Sequence, residues 1–141
     1  MDLFDKILEL SQQGFYCAQI LAILALEADG KENPDLIRAM SGLNGGIGFS
    51  GKTCGALTGG ACVLSYFTGK GEADELEAPE SRAMIQEYIN WFETEFGEEH
   101  GGTGCDEILE CNPANRLERC PGIVGAAFEK VVELLSEKGV V

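Results

Sequence analysis

Phe15-Tyr16-Cys17-Ala18-Gln19-Ile20-Leu21-Ala22-Ile23-Leu24-Ala25-Leu26-Glu27-Ala28 is apolar nearly all round, with only Gln19 and Glu27 breaking it. A helix that is hydrophobic on every face belongs in the middle of a bundle, so this stretch is the expected central helix. Upstream, Leu3, Phe4, Ile7, Leu8 and Leu10 recur at near-helical spacing until Gly14 interrupts them. Downstream, Asn33-Pro34 is an N-cap followed by a first-turn proline, opening a short helix with Leu36, Ile37 and Met40 that ends at Gly42. After a loop from Ser41 to Lys52, Thr53 is the expected cap of a helix running to about Phe67. Gly55, Ala56, Gly59, Gly60 and Ala61 in that helix let another backbone or a bulky cofactor approach closely, against a propensity loss of about 1 kcal/mol per glycine. Met84, Ile85, Tyr88, Ile89, Phe92 and Phe96 keep a 3.6-residue stripe up to Gly97, with the aromatics read as bundle core. Pro121 is expected to open the last helix, which carries Ile123, Val124, Ala127, Phe128, Val131, Leu134 and Leu135 on one face and stops at Gly139. The expectation is an all-α, single-domain bundle over residues 1–141, with about five or six helices joined by glycine-rich loops.

Composition narrows the function classes. The 141 residues leave no room for a second core, and 45% hydrophobic content is enough to bury one. Ten Lys and Arg against 24 Asp and Glu give a net charge of −14, which repels phosphate backbones and anionic headgroups, so nucleic acid and membrane surfaces are poor partners. A basic redox protein would be the complementary partner, and a shallow charged bundle makes a homodimer reasonable. The longest apolar run, Ile20 to Leu26, is far shorter than the roughly 20 residues of a membrane helix. The N-terminus has no export pattern, so a cytoplasmic location is expected. In that compartment six cysteines point to metal binding or redox chemistry rather than a disulfide framework.

The positions of those cysteines carry the chemistry. Cys17, Cys54, Cys105 and Cys120 each fall at an expected helix start, where free amides and the positive end of the dipole favour the thiolate that binds metals or attacks disulfides. Their separations of 37, 51 and 15 residues are unlike paired CxxC knuckles, yet a bundle can bring helix starts together. Cys62, in Ala61-Cys62-Val63-Leu64, reads as a small core hydrophobe; Cys111, beside Asn112-Pro113, as a spare thiol or an alternate ligand. His100 lies in a glycine-rich turn and is expected at the surface.

The segment Cys54-Gly55-Ala56-Leu57-Thr58-Gly59 fits a CGAxxG motif, preceded by GFYCAQI and followed by GTGCDEI and RCPGIVGAAFEKVVELL. In these residues the chain resembles the C_GCAxxG_C_C family of redox-active proteins, from about Gly14 to Leu135. The resemblance implies redox activity, with the family's four cysteines falling on Cys17, Cys54, Cys105 and Cys120. Similar domains in haem-containing redox proteins look like iron-sulfur sites, although this chain has no CxxCH for haem attachment. Four thiolates suit a [2Fe-2S] or [4Fe-4S] cluster and would equally complete a tetrahedral zinc site. Glycine loops at 42–51 and 97–104 could turn amides toward cluster sulfurs, which favours an iron-sulfur cofactor, [2Fe-2S] first, in electron transfer or redox sensing. The alternatives are metal-free thiol-disulfide chemistry, with Cys105 and Cys120 as the natural pair, and a structural zinc site.

A competing motif runs from Gly46 to Thr53, Gly-Ile-Gly-Phe-Ser-Gly-Lys-Thr, and matches the GxxxxGK[ST] phosphate loop. That loop requires a preceding strand, whereas residues 34–45 read as a short helix and a turn, so nucleotide binding ranks last. Neither a Ser-His-Asp triad nor a catalytic carboxylate pair can be read from the spacings.

Overall fold

The computed structural model describes residues 2–140 and is helical throughout, with no β-strand among them. The helices are α1 (Leu3–Gln12), α2 (Cys17–Ala28), α3 (Pro34–Met40), α4 (Gly55–Thr68), α5 (Ser81–Phe92), α6 (Glu98–His100), α7 (Cys105–Leu109) and α8 (Arg116–Glu137). The all-α expectation holds. α2 is the central element: Ala18, Ile20, Leu21, Ala22, Leu24, Ala25 and Leu26 are all buried, and it packs on α1, α3, α4 and α8. No helix is long and apolar enough to cross a membrane.

The tightest packing in the bundle joins α2 to α4, and the glycines of α4 make it possible. A Cβ built at Gly59 would lie 2.9 Å from Ala18 Cα, and one at Gly55 would strike the Cys17 sulfur and sit 3.0 Å from the Leu43 carbonyl oxygen. Close backbone approach offsets glycine's poor helix propensity. On another side of α4 the Tyr88 hydroxyl fills the space that a side chain at Gly60 would need, and it donates a 2.7 Å hydrogen bond to the Ala56 carbonyl. Tyr88 and Phe92 are fully buried, with Trp91 and Phe96 packed beside them, so the aromatic stripe is core as expected.

Three element boundaries differ from the sequence expectation. α4 starts at Gly55 with Cys54 as its cap, because Thr53 is held in an isolated antiparallel bridge with Gly104. α5 runs through a π-helical turn at Glu93–Gly97 into α6, and the helical stretch ends at Gly101, which takes the left-handed φ of +80° that terminates helices; Gly97 stays helical at −66°. α8 begins at Arg116, not Pro121. Pro113 takes the first-turn role, in a 3₁₀ turn capped by Asn112, whose side chain accepts from the Ala114 amide. Pro121 lies inside α8, where it supplies no amide to the Leu117 carbonyl.

The glycine contact yields a paired prediction. Gly59→Ala should lose about 1–3 kcal/mol of stability in urea unfolding, because the added methyl meets backbone and its neighbours cannot yield. Gly122→Ala, in α8 with open space around it, should gain about 0.4–1 kcal/mol. A stabilised Gly59→Ala variant would mean that α2 and α4 are not held at this separation.

Candidate functional site

Four segments distant in sequence meet at one cavity of about 290 Å³, lined by Cys17, Cys54, Cys105 and Cys120. The apolar wall includes Ile7, Phe15, Ile108 and Val124, and Arg116 is the one charged residue of the lining. All six cysteines of the chain are free thiols.

Each sulfur is brought in by a different device. Cys17 is the first residue of α2 and reaches the site because α2 presses on Gly55. Cys54 and Cys105 flank the Thr53–Gly104 bridge: the Cys54 amide donates to the Thr103 carbonyl at 2.8 Å, and the Cys105 amide to the Lys52 carbonyl at 2.6 Å. Two backbone hydrogen bonds thus hold side by side two residues 51 positions apart in the chain. Cys120 is the fifth residue of α8 and enters from its second turn. Three of the four therefore sit at helix starts and Cys120 does not, a correction that follows from the earlier start of α8.

The loop between α3 and α4 forms the roof. Gly45, Gly46, Ile47, Gly48 and Phe49 all have positive φ, a left-handed run that is strained by roughly 1–2 kcal/mol at each non-glycine residue. Gln19 anchors it, accepting from the Asn44 side-chain amide at 2.9 Å while donating to the Ile37 carbonyl at 3.3 Å. A Cβ at Gly46 would lie 2.9 Å from the Cβ of Cys105, so this loop also touches the site through a glycine. Its exposed end carries Phe49, whose ring meets Tyr16 edge-to-face at 4.9 Å between centroids. The Arg116 guanidinium carbon lies 5.3 Å from the Phe49 centroid and 5.8 Å from that of Tyr16, within cation–π range. Its Nη2 is 4.0 Å from the Cys105 sulfur.

The same loop is the stretch that matches a phosphate-binding motif, and its geometry is wrong for one. The amides of residues 47–52 are all taken by carbonyls of the loop itself, among them Gly51 to Gly45 and Lys52 to Gly46, and no strand precedes it. Such amides cannot cradle phosphate. Lys52 is exposed.

Electrostatically, burial outweighs the helix starts. Desolvation raises the pKa of Cys17, opposed by the amides of Gly45 and Ala18 and by Arg116. Cys54 is pushed from the ordinary 9.0 up to about 12, first by burial and then by the Cys17 sulfur, with the Ala56 and Leu57 amides pulling back. Cys120 is likewise pushed up to about 12, by burial and then Cys17, with Arg116 opposing. Placement at an expected helix start alone therefore does not make these three sulfurs anionic, because burial raises their pKa values by more than the amides and Arg116 lower them.

The remaining candidates lie apart from the cavity. Cys62 is exposed on α4 rather than in the core, since its neighbours Val63 and Leu64 take the inward positions. Cys111 is exposed, in a left-handed turn after α7. His100 is partly buried: its side chain is 15% exposed, in a separate open cleft with Phe96, Glu107 and Arg119. Sequence reading passed over Arg116 and Tyr16; an arginine one helical turn before Cys120 was the available signal for the first.

The donors around the cavity are all sulfur, a set that suits zinc or iron-sulfur centres. Among the described residues no three His, Cys, Asp or Glu side chains are gathered closely enough to hold one metal ion. The sulfurs thus line a shared space without closing on a point. A family model described as "Putative redox-active protein (C_GCAxxG_C_C)" matches residues 15–134, which include all four pocket cysteines. The GCA of its printed motif reads Cys54-Gly55-Ala56 in this chain, with the first two letters exchanged. Neither a curated protein nor a solved structure matches the chain.

The raised pKa values fix an alkaline limit. For an acid whose folded pKa exceeds its unfolded value, stability is full below the unfolded pKa and falls as pH rises through the folded one. Reduced, metal-free protein should lose stability between pH about 9 and 12, and Cys54→Ala should lessen that loss. Urea midpoints that stay level across this range in both proteins would contradict the assigned burial.

Proposed function

The chain belongs to the C_GCAxxG_C_C family of redox-active proteins, and from that premise we propose that it is a one-electron carrier or sensor built on an iron-sulfur cluster. Cys17, Cys54, Cys105 and Cys120 would hold the cluster, [2Fe-2S] first, which when bound supplies the one-electron couple. One observation carries the reading: four cysteines from four separate segments line one cavity that contains no histidine or carboxylate. A single zinc ion would need every sulfur drawn to about 2.3 Å of one point, and the thiols are more spread than that. A cluster divides its ligands among several irons and so asks for convergence without contact.

In this reading the protein's own groups prepare the site. The apolar wall keeps water from the sulfurs, the Gly45 and Ala18 amides face Cys17, and those of Ala56 and Leu57 face Cys54. Amides aimed at ligand sulfurs stabilise negative charge there and tune the potential. An electron enters from one partner protein and leaves to another, with no bond made or broken in the chain. The net charge of −14 supports a basic partner, and six free thiols suit a reducing, cytosolic compartment.

The second reading is a metal-free dithiol, favoured by the presence of Cys105 and Cys120 in the lining of the same cavity. Those two thiols would become a disulfide while a substrate disulfide is reduced to two thiols, taking up both protons and both electrons.

Protein purified without oxygen should contain iron and acid-labile sulfide and absorb in the visible. Serine in place of Cys17, Cys54, Cys105 or Cys120 should remove most of the iron, whereas Cys62→Ser and Cys111→Ser should retain it. A colourless wild-type protein without iron or sulfide that forms a reversible Cys105–Cys120 disulfide would replace the first reading with the second.

A further inference from the structure

Three of the four arginines are committed to carboxylates: Arg38 to Asp35 at 2.7 Å, Arg82 to Glu77 at 3.4 Å and Arg119 to Glu110 at 2.6 Å. Arg116 alone has no carboxylate within salt-bridge distance among the described residues, in a chain where acidic residues outnumber basic ones by 24 to 10. It is half-buried in the wall of the cysteine cavity, packed against the contacting rings of Tyr16 and Phe49, with Nη2 4.0 Å from the Cys105 sulfur. An arginine that is partly desolvated and denied a carboxylate in so acidic a protein has been kept for another anion. Aromatic faces hold a guanidinium in place without neutralising it, which leaves its charge acting on the cavity.

We infer that Arg116 is the charge-compensating, positioning residue of this site: the Tyr16–Phe49 ring pair supports its guanidinium beside Cys105 so that the cavity prefers anionic occupants and the more negative redox state. The inference rests on the thiolate-site reading above for its redox part. Its selectivity part requires only the cavity. The geometry also gives the strained roof a purpose, since the left-handed turn at Phe49 is what carries that ring to the guanidinium. When the occupied site takes up one electron from a small-molecule reductant such as dithionite, the added negative charge falls next to Arg116, which stays protonated throughout. The reduced form is favoured and the midpoint potential rises.

The test compares the wild type with Arg116→Gln and Arg116→Lys, all in a Cys62→Ser/Cys111→Ser background so that only pocket thiols report. In iron-loaded protein the midpoint potential of Arg116→Gln should fall by roughly a tenfold change in the redox equilibrium, about 59 mV for one electron. Arg116→Lys, which keeps the charge, should recover most of it. In reduced, metal-free protein the rate of thiol modification is measured with an anionic aromatic disulfide and with a neutral pyridyl disulfide. The anionic-to-neutral rate ratio should fall several-fold in Arg116→Gln and be preserved in Arg116→Lys. The neutral reagent corrects for any general loosening of the fold. An unchanged ratio in Arg116→Gln, or equal potentials in Arg116→Gln and wild type, overturns the inference. Wild-type protein without iron or sulfide refutes the cluster reading instead, and the rate ratio then still decides the role of Arg116.

Discussion

The contact between Ala18 on α2 and Gly59 on α4 sets the geometry on which the remaining structure depends. It allows two helix backbones to touch, which only a residue without a side chain permits at that distance. Because α2 is buried on most of its circumference, its position against α4 fixes where α1, α3 and α8 can lie. The same closeness delivers Cys17 to Gly55, one residue from Cys54. Packing and chemistry thus share a cause: the glycines that weaken α4 as an isolated helix give the core its tightest seam and the cavity its first two sulfurs.

A second constraint is electrostatic. Helix-start amides do face the sulfurs of Cys17 and Cys54, but the desolvation of a buried thiol is larger. With Arg116 already counted, the pKa values of Cys17 and Cys120 are still raised, and an incoming positive centre is what makes anionic sulfur favourable there. In a protein with so large an acidic surplus, a single half-buried guanidinium without a carboxylate has more local influence than the distant solvated charges, which salt screens.

Much of this was legible in the sequence, and the parts that were not share a physical origin. The all-round apolarity of residues 15–28, the Asn33-Pro34 cap and the aromatic stripe at 88, 92 and 96 report local preferences, and each lies in a helical segment as read, although the last runs on past Gly97. The four cysteines were legible because glycine flanks two of them, Cys54 and Cys105, and a family pattern joined all four. The start of α4 failed because a distant partner intervened, Gly104 claiming Thr53, and the start of α8 because Pro113 outcompetes Pro121 for the first turn. The inward thiol expected at 62 lost to Val63 and Leu64, a matter of helix phase that a uniformly apolar run does not reveal. Arg116 escaped notice because its significance lies in what it lacks, a carboxylate, and pairing is a property of three-dimensional neighbours.

The roof of the cavity winds with the opposite hand to every helix beneath it. Over Gly45–Phe49 the backbone turns in the sense that an ordinary L-residue resists, and achiral glycine fills three of the five places. Mutational drift over this patch is consequently channelled. A side chain gained at 45, 46 or 48 would work against the turn itself, so the outer surface above the sulfurs can diversify chiefly through the two stereogenic residues already tolerated there, Ile47 and Phe49.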